Sequence, residues 1–298
     1  MDTLESIRRK SEGAKDLKSV VSAMKAMASA NIIQYETAVS SLGDYYRTVA
    51  LGIIAYLSAE KIDSIIEKKD PEKNHETSIC AIVFGSDQGL VGQFNDLMAE
   101  FVSTSLAARP GKKEIWAVGE RVQLLLSDLG FTIANSFPVP NDINAITPLL
   151  NQILIKSEPG NKKEPVRMFY IFHNQPKPGS GYQPVMRQFL PLDEKWKDDL
   201  QELHWPTKLP PQIAGSARPT LRALIDEYLF TSLFKACAES LASENASRLE
   251  AMTRAEKNIG DLLENIDKQY HRLRQSSIDE ELFDVVSGFE ALQNTSES

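Results

Sequence analysis

Residues 14–28, AKDLKSVVSAMKAMA, decide the fold, because their apolar and small side chains recur at gaps of three and four. The recurring positions are Ala14, Leu17, Val21, Met24 and Ala28. This spacing puts one stripe along an α-helix and is typical of a coiled coil. The stripe continues to Val49, and the first proline of the chain is Pro71. The sequence therefore predicts one helix from residue 3 to about 58.

A second long helical pattern lies at the other end of the chain. Pro219 suits the first turn of a helix after a cap at Ser216, and no later proline interrupts the pattern, which runs to about residue 292. Three glycines between residues 13 and 52 each lower the stability of the first helix by about 1 kcal/mol relative to alanine. Packing against a partner must stabilise it, so we predict that the two helices, about 80 and 110 Å long, pack together.

The segment between the helices has the pattern of a small, largely parallel, Rossmann-like α/β domain. Short apolar runs at 79–84, 115–118 and 168–172 alternate with amphipathic stretches at 94–108, 120–129 and 143–156. A proline-rich return follows, with a possible edge strand near 185–190. We therefore divide the chain into an N-terminal coiled-coil helix at 1–60, an α/β domain at 77–212 and a C-terminal coiled-coil helix at 216–292.

The composition of the chain disfavours some classes of partner and predicts where in the cell the protein lies. The formal net charge of −8 disfavours nucleic acid and anionic lipid as partners. No run approaches the roughly 20 apolar residues of a membrane span, and nothing at the N-terminus resembles a targeting segment. Cys80 and Cys237 lie in apolar patterns, which predicts two buried thiols rather than a disulfide. We expect a protein at the cytoplasmic face of a membrane or in the cytoplasm.

No pattern of a catalytic, cofactor or metal site is visible in the sequence. The turn Gly85-Ser-Asp-Gln-Gly-Leu-Val-Gly92 follows a predicted strand, but it matches neither the P-loop nor the dinucleotide motif. We interpret it as a tight connection to the next helix, capped by Ser86 or Asp87. The four histidines show no metal-ligand spacing and are expected on surfaces or in loops. We predict that the chain uses no cofactor or metal of its own.

Three motifs, in the right order, resemble the gamma subunits of rotary F-type ATP synthases. Glu239-Ser-Leu-Ala-Ser-Glu-Asn-Ala-Ser-Arg-Leu-Glu-Ala-Met252, followed by Arg274-Gln275, resembles the C-terminal signature of that family. Residues 23–28, AMKAMA, resemble its N-terminal run, and residues 86–95, SDQGLVGQFN, resemble its central loop. The resemblance covers essentially the whole chain.

The resemblance implies a fold and a set of partners. In that family the terminal helices form an antiparallel, left-handed coiled coil inside a ring of three alpha and three beta subunits, and the α/β domain meets the epsilon subunit and the membrane c-ring. The chain would thus be a rotor shaft that couples rotation of the membrane ring to nucleotide affinity in the beta subunits. It would have no catalytic residues of its own and lie peripherally at the cytoplasmic face of the cell membrane.

The resemblance also assigns residues to these contacts. Arg274, Gln275, Met24 and Glu281 would contact beta subunits, and Ala23, Met27 and Ala28 would form a face that slides against the ring. The sequence departs from the family pattern at several positions. Residues 19–22 are Ser-Val-Val-Ser instead of Lys-Ile-Thr-Lys, and Gln88, Val91 and Asp279 replace an arginine, a cysteine and a threonine. These differences predict a divergent branch with altered polar contacts.

Two other functions fit the residue patterns without the resemblance. A coiled-coil tether or adaptor with an α/β head needs the same helices but no ring. An α/β enzyme acting on a phosphorylated ligand would use the turn at 85–92, and Gly89→Asp would then abolish nucleotide binding. Helical periodicity alone does not separate a shaft from a tether.

Overall fold

The structure is a computed structural model that describes residues 3–60, 78–157, 167–192 apart from 178 and 180, and 217–296. Single residues at 196, 200, 203, 205 and 207 are also described. The predicted cap Ser216 and the histidines His75 and His204 lie outside the described residues.

Two long helices are present at the two chain ends, as the apolar periodicity predicted. Helix α1 spans Leu4–Glu60 and helix α5 spans Ala217–Ser296. Pro219 occupies the first turn of α5, where a missing backbone N–H costs no helical hydrogen bond. Both predicted helix ranges are correct to within a few residues.

The middle of the chain folds into a five-stranded sheet with three shorter helices. The elements are β1 (Ser78–Phe84), α2 (Phe94–Ala107), β2 (Lys112–Val118), α3 (Glu120–Asp128), β3 (Thr132–Phe137), α4 (Ile146–Ser157), β4 (Arg167–Pro176) and β5 (Tyr182–Leu190). The strand order is β3-β2-β1-β4-β5, and all neighbours are parallel except β4 and β5. The largely parallel α/β domain and its edge strand β5 are confirmed.

Strand β3 was not predicted, and its sequence shows why. It reads TIANSF, and along it exposed residues alternate with half-buried ones until the buried Phe137. An edge strand covered on one side carries too short an apolar pattern to separate it from a loop. Its partner β2 supplies the hydrogen bonds that define it.

Strand β1 forms the centre of the core, because all seven of its residues are buried. One face of β1, with Ile79, Ala81 and Val83, packs against α2 and α3. The opposite face, with Cys80 and Ile82, packs against α4 and residues 229–242 of α5. Cys80 and Cys237 are both buried thiols, as predicted. The sheet is thus covered by helices on both faces, as parallel sheets are.

The chain divides into two compact units whose boundaries fall inside both long helices. One unit comprises Met1–Met27 with Leu249–Ser298, and the other comprises Ala28–Arg248. This division differs from the segments drawn at residues 60, 77, 212 and 216, which follow helix ends. In the first unit α1 and α5 pack through Ile7, Ala14 and Ile266. Among the described residues no helix is both long enough and apolar enough to cross a bilayer.

Candidate functional site

A row of polar side chains on α5 fastens this helix to the sheet inside the larger unit. Glu239, Ser243 and Ser247 follow each other at intervals of four residues and therefore share one helix face. All three are buried, with exposed fractions of 6%, 1% and 5%. We call them, with the sheet and loop groups that they contact, the polar seam.

The two serines of the polar seam bind backbone carbonyls. The Ser243 hydroxyl lies 3.0 Å from the carbonyl oxygen of Asn174 at the end of β4. The Ser247 hydroxyl donates to the carbonyl oxygen of Val91 in the loop after β1, and it lies 3.3 Å from the Tyr182 hydroxyl of β5. Buried polar groups without partners are costly, so these contacts restrict where α5 can sit on the sheet.

Glu239 is bound by His173 of β4, which corrects the expectation that the histidines lie on the surface. His173 is only 1% exposed, and its Nε2 lies 2.8 Å from Glu239 Oε2. Gln175 Nε2 donates to the other carboxylate oxygen at 3.3 Å. Burial lowers the pKa of His173, outweighing the opposing effect of Glu239. Burial alone would raise the pKa of Glu239, but the hydrogen bond with His173 lowers it. A neutral His173 imidazole that donates a hydrogen bond to an ionised Glu239 carboxylate agrees with the lowered pKa of both groups.

A second polar pair continues along α5. Glu244 and Arg248 are 2.6 Å apart, and their side chains are 7% and 15% exposed. Burial raises the pKa of the Glu244 carboxyl, and Arg248 opposes that rise. Asn245 reaches across to Asn31 of α1, with 3.4 Å between the two amide groups. The contact between Asn31 and Asn245 therefore connects α1 to α5 within the larger unit.

The turn at 85–92 is a structural connection, and its polar residues bind neighbouring loops. The Ser86 N–H donates to Asn95 Oδ1 at 3.0 Å, and Asn95 Nδ2 donates to Ser86 Oγ at 2.8 Å. Gly85 packs so closely on α3 that an added Cβ would lie 2.3 Å from Val122. No side chain caps α2, so the prediction that Ser86 or Asp87 caps the next helix is wrong.

Asp87 instead connects the ends of three strands. Its Oδ1 accepts from the N–H of Glu120, the first residue of α3, and its Oδ2 accepts from the N–H of Val139, each at 2.9 Å. The carboxyl ends of parallel strands meet at one edge of a sheet, which brings these three loops together. A negative charge at the start of α3 also suits the helix dipole.

The residues predicted to contact beta subunits lie on the smaller unit. Arg274, Gln275 and Glu281 are exposed on α5, and the described part of the chain holds no hydrogen bond or ion pair for Arg274 or Gln275. Met24 is half-buried, and beside it Lys25 pairs with Glu256 at 2.9 Å. Large apolar side chains follow on α5, with Ile278, Leu282, Phe283 and Val285 between 51% and 72% exposed. Such a row of exposed apolar groups indicates a protein partner.

The predicted sliding face needs one correction. Ala23 and Met27 are exposed, Met27 to 66%, but Ala28 is 1% exposed. Its side chain is buried and does not belong to an exposed face. The helical repeat explains the difference, because Ala28 lies seven residues from Val21 and Tyr35 on the inward stripe.

Sequence reasoning missed the polar seam, although one signal was present. Residues 236–247 are small or apolar apart from Glu239, Glu244 and Asn245, and the polar side chains at 239, 243 and 247 keep a spacing of four. A polar stripe within an apolar helix segment predicts partners across the helix interface. Their identity, His173 above all, depends on the fold.

The chain is similar to known proteins over nearly its full length. A family model described as ATP synthase matches residues 3–292. The ATP synthase gamma chain of Bacteroides fragilis is 26% identical, with 97% of this chain and 99% of the relative covered. That of Chloroherpeton thalassium is also 26% identical, with 99% and 100% covered.

Solved structures with the same fold come from mitochondrial ATP synthases. A chain from the OSCP/F1/c-ring assembly of Euglena gracilis in rotational state 3 is 18% identical, with a TM-score of 0.68 over 99% of this chain and 96% of that chain. A chain from the central stalk and c-ring of Tetrahymena thermophila has a TM-score of 0.55 at 18% identity, covering 79% of this chain and 99% of that chain.

Proposed function

Because the chain belongs to the ATP synthase gamma-chain family, we propose that it is the central rotor subunit of an F-type ATP synthase. In this role it couples ion-driven rotation of a membrane c-ring to changes of nucleotide affinity in three beta subunits. The observation that carries the proposal is the family match from residue 3 to residue 292, which includes both long helices and the exposed end of α5.

The smaller unit provides the contacts with the ring of alpha and beta subunits in this proposal. A single asymmetric shaft meets three identical beta subunits differently, so each rotational angle stabilises a different set of open and closed sites. Arg274 and Gln275 offer planar donors for carboxylates of one beta subunit. Each charge-assisted hydrogen bond contributes about 1.5–3 kcal/mol, enough to favour one angle and little enough to break at each step.

The larger unit receives torque and passes it to the shaft. Its α/β domain would contact the epsilon subunit and the c-ring, so the join between the sheet and α5 must not slip under load. The polar seam suits this role, because sliding α5 by one turn would leave Glu239 and His173 buried without each other. An apolar interface of the same area would tolerate a shift more easily.

Catalysis belongs to the beta subunits in this proposal, and we assign no catalytic residue to the chain. Ser86 and Asp87, the pair in the central loop with reactive groups, are both engaged in structural hydrogen bonds. The subunit would lie peripherally at the cytoplasmic face of the cell membrane, without nucleic-acid partners.

Reconstitution tests the proposal directly. The full chain is combined with its cognate alpha and beta subunits, and ATPase activity and rotation of the chain are recorded. We expect a defined complex in which ATP hydrolysis turns the chain. Failure to form that complex, with alpha and beta subunits that assemble on another gamma chain, would refute the rotor assignment and favour a tether.

A further inference from the structure

A cavity of about 120 Å³ lies within the larger unit, beside the polar seam. Strands β4 and β5 form one side and residues of α1 and α5 form the other. Its apolar wall includes Ile171, Phe189 and Trp196, which are buried, together with the half-buried Leu192 and Tyr228. His173, Glu239, Arg187 and Lys235 also line it.

The charges around the cavity favour an anion. Glu239 is already held by His173 and Gln175, and its Oε1 lies 3.9 Å from Lys235 Nζ. Arg187 has no hydrogen bond or ion pair within the described part of the chain. One carboxylate therefore faces two cations, which leaves a net positive charge. Arg187 offers the planar fork of donors that binds a carboxylate with two hydrogen bonds.

His173 supplies an additional polar group. Its Nε2 is used by Glu239, and its Nδ1 is buried and has no hydrogen-bond partner among the described residues. Because the neutral imidazole donates from Nε2 to Glu239, Nδ1 is an acceptor, so a water molecule or a donor group of a ligand would pair with it, whereas a carboxylate would not.

The volume and lining of the cavity indicate which kind of anion it can bind. A closed apolar cavity of about 150 Å³ in another protein holds a benzene molecule. This cavity is smaller, about 120 Å³, and its lining includes the exposed Arg187 and the half-buried Lys235, so it accepts an apolar group of at most about one ring with the charged group of the ligand at its exposed side. Inorganic phosphate would leave the wall of Phe189 and Trp196 without an apolar contact. Most ligand pockets likewise combine an apolar lining with a few polar anchors.

We propose that this cavity binds a small organic carboxylate, whose apolar body lies against Phe189 and Trp196 and whose carboxylate pairs with Arg187 and Lys235. A ligand there contacts β4, β5 and α5 at once and therefore stabilises the attachment of α5 to the sheet. The site requires only the larger unit and does not depend on the rotor assignment.

Calorimetric titration of the full chain tests the site with three probes of matched size or charge. Benzoate carries both the ring and the carboxylate, benzamide carries the ring without the charge, and inorganic phosphate carries charge without the ring. We expect benzoate to bind at least tenfold more tightly than either of the others. Equal binding of benzamide would overturn the role of the cations, and equal or tighter binding of phosphate would overturn the role of the apolar wall.

Two variants of cavity residues test whether benzoate binds in this cavity. Arg187→Gln with Lys235→Gln is expected to weaken benzoate binding at least tenfold, and Ser232→Leu, which fills the cavity from α5, to abolish it. The matched control Arg121→Gln removes one exposed cation of α3 and should leave the affinity unchanged. Far-UV circular dichroism checks that each variant keeps its helix content. Benzoate binding that survives both cavity variants would show that the site lies elsewhere and would refute the proposal.

Discussion

At the scale of single residues, the side chains that matter most are polar and buried. His173, Glu239 and Asp87 make contacts across 33 to 66 residues of sequence. Each satisfies groups that would otherwise be buried without partners, so each fixes one arrangement of neighbouring elements. Glu239 is the first residue of the C-terminal motif on which the family resemblance was based. The structure shows a physical role for this residue, because its carboxylate is bound by His173.

Acidification should destabilise the fold through His173. Its pKa is lowered by burial, so between pH 7 and 5 the unfolded chain binds a proton at this residue that the folded chain does not, and stability falls as pH falls. Glu239 adds to this loss at lower pH, because its pKa is also lowered. Arg187 and Lys235 oppose protonation of His173, and Glu239 favours it.

The variant His173→Gln isolates this contribution, since glutamine keeps a donor for Glu239 but does not titrate. The slope of unfolding free energy against pH, measured by urea unfolding between pH 7 and 5, should decrease by at most about 1.4 kcal/mol per pH unit. Glu244, whose raised pKa acts in the opposite direction, contributes equally to both proteins. An unchanged slope would mean that His173 binds protons equally in the folded and the unfolded chain, which would contradict its lowered pKa.

Asp87→Ala should lower stability by about 2 kcal/mol, because it removes the acceptor of two backbone N–H groups. Asp87→Asn, which keeps one acceptor oxygen, should fall between Asp87→Ala and the unaltered protein. Urea unfolding measures both, with Asp128→Ala, an exposed carboxylate at the end of α3, as the control. Equal losses for Asp87→Ala and Asp128→Ala would contradict the connecting role of Asp87.

At the scale of elements, the sequence predicted those whose pattern is long. Helices α1 and α5 extend over many turns, so errors at single positions do not change their periodicity. The prediction of β1, β2 and β4 succeeded because these strands are buried runs. Strand β3 was missed because its pairing with β2, rather than its own composition, defines it.

The glycines of α1 differ in how much space an added side chain would have. An added Cβ at Gly43 meets nothing within 4 Å, whereas at Gly52 it would lie 3.1 Å from Leu224 of α5. Gly43→Ala should therefore raise the unfolding free energy by about 1 kcal/mol, the helix preference of alanine over glycine. Gly52→Ala should gain less or become destabilising, since Leu224 must move. An equal gain at both positions, by urea unfolding, would show that α1 and α5 are not closely packed at Gly52.

At the scale of the whole molecule, the proposed function gives each of the two compact units its own task in a rotor subunit. The larger unit holds the sheet, the polar seam and the cavity, and the smaller unit presents exposed polar and apolar side chains of α5. Rotation is useful only if force applied to one compact unit reaches the other unit. Both long helices continue from one unit into the other.

Arg274→Ala with Gln275→Ala should reduce coupling or torque in the reconstituted complex while leaving the helix content of the isolated chain intact. Neither side chain has a described partner within the chain, so its removal costs little folding energy. Rotation under load and circular dichroism give the two readouts. Arg272→Ala removes a cation from the same turn and should have a smaller effect. Equal loss of torque in both variants would contradict the assignment to Arg274 and Gln275.

The sequence by itself determined the long helices, the parallel sheet and the family resemblance, because these depend on local periodicity and on residues close together in the chain. Only the tertiary structure decided that Glu239 meets His173, that Asp87 binds Glu120 and Val139, and that Ala28 is enclosed. These outcomes depend on which strand ends and helix faces meet, and residues far apart in sequence carry no periodic signal of that meeting. The stripe beginning at Ala14 predicted a packed helix, and packing determined which of its residues remain exposed.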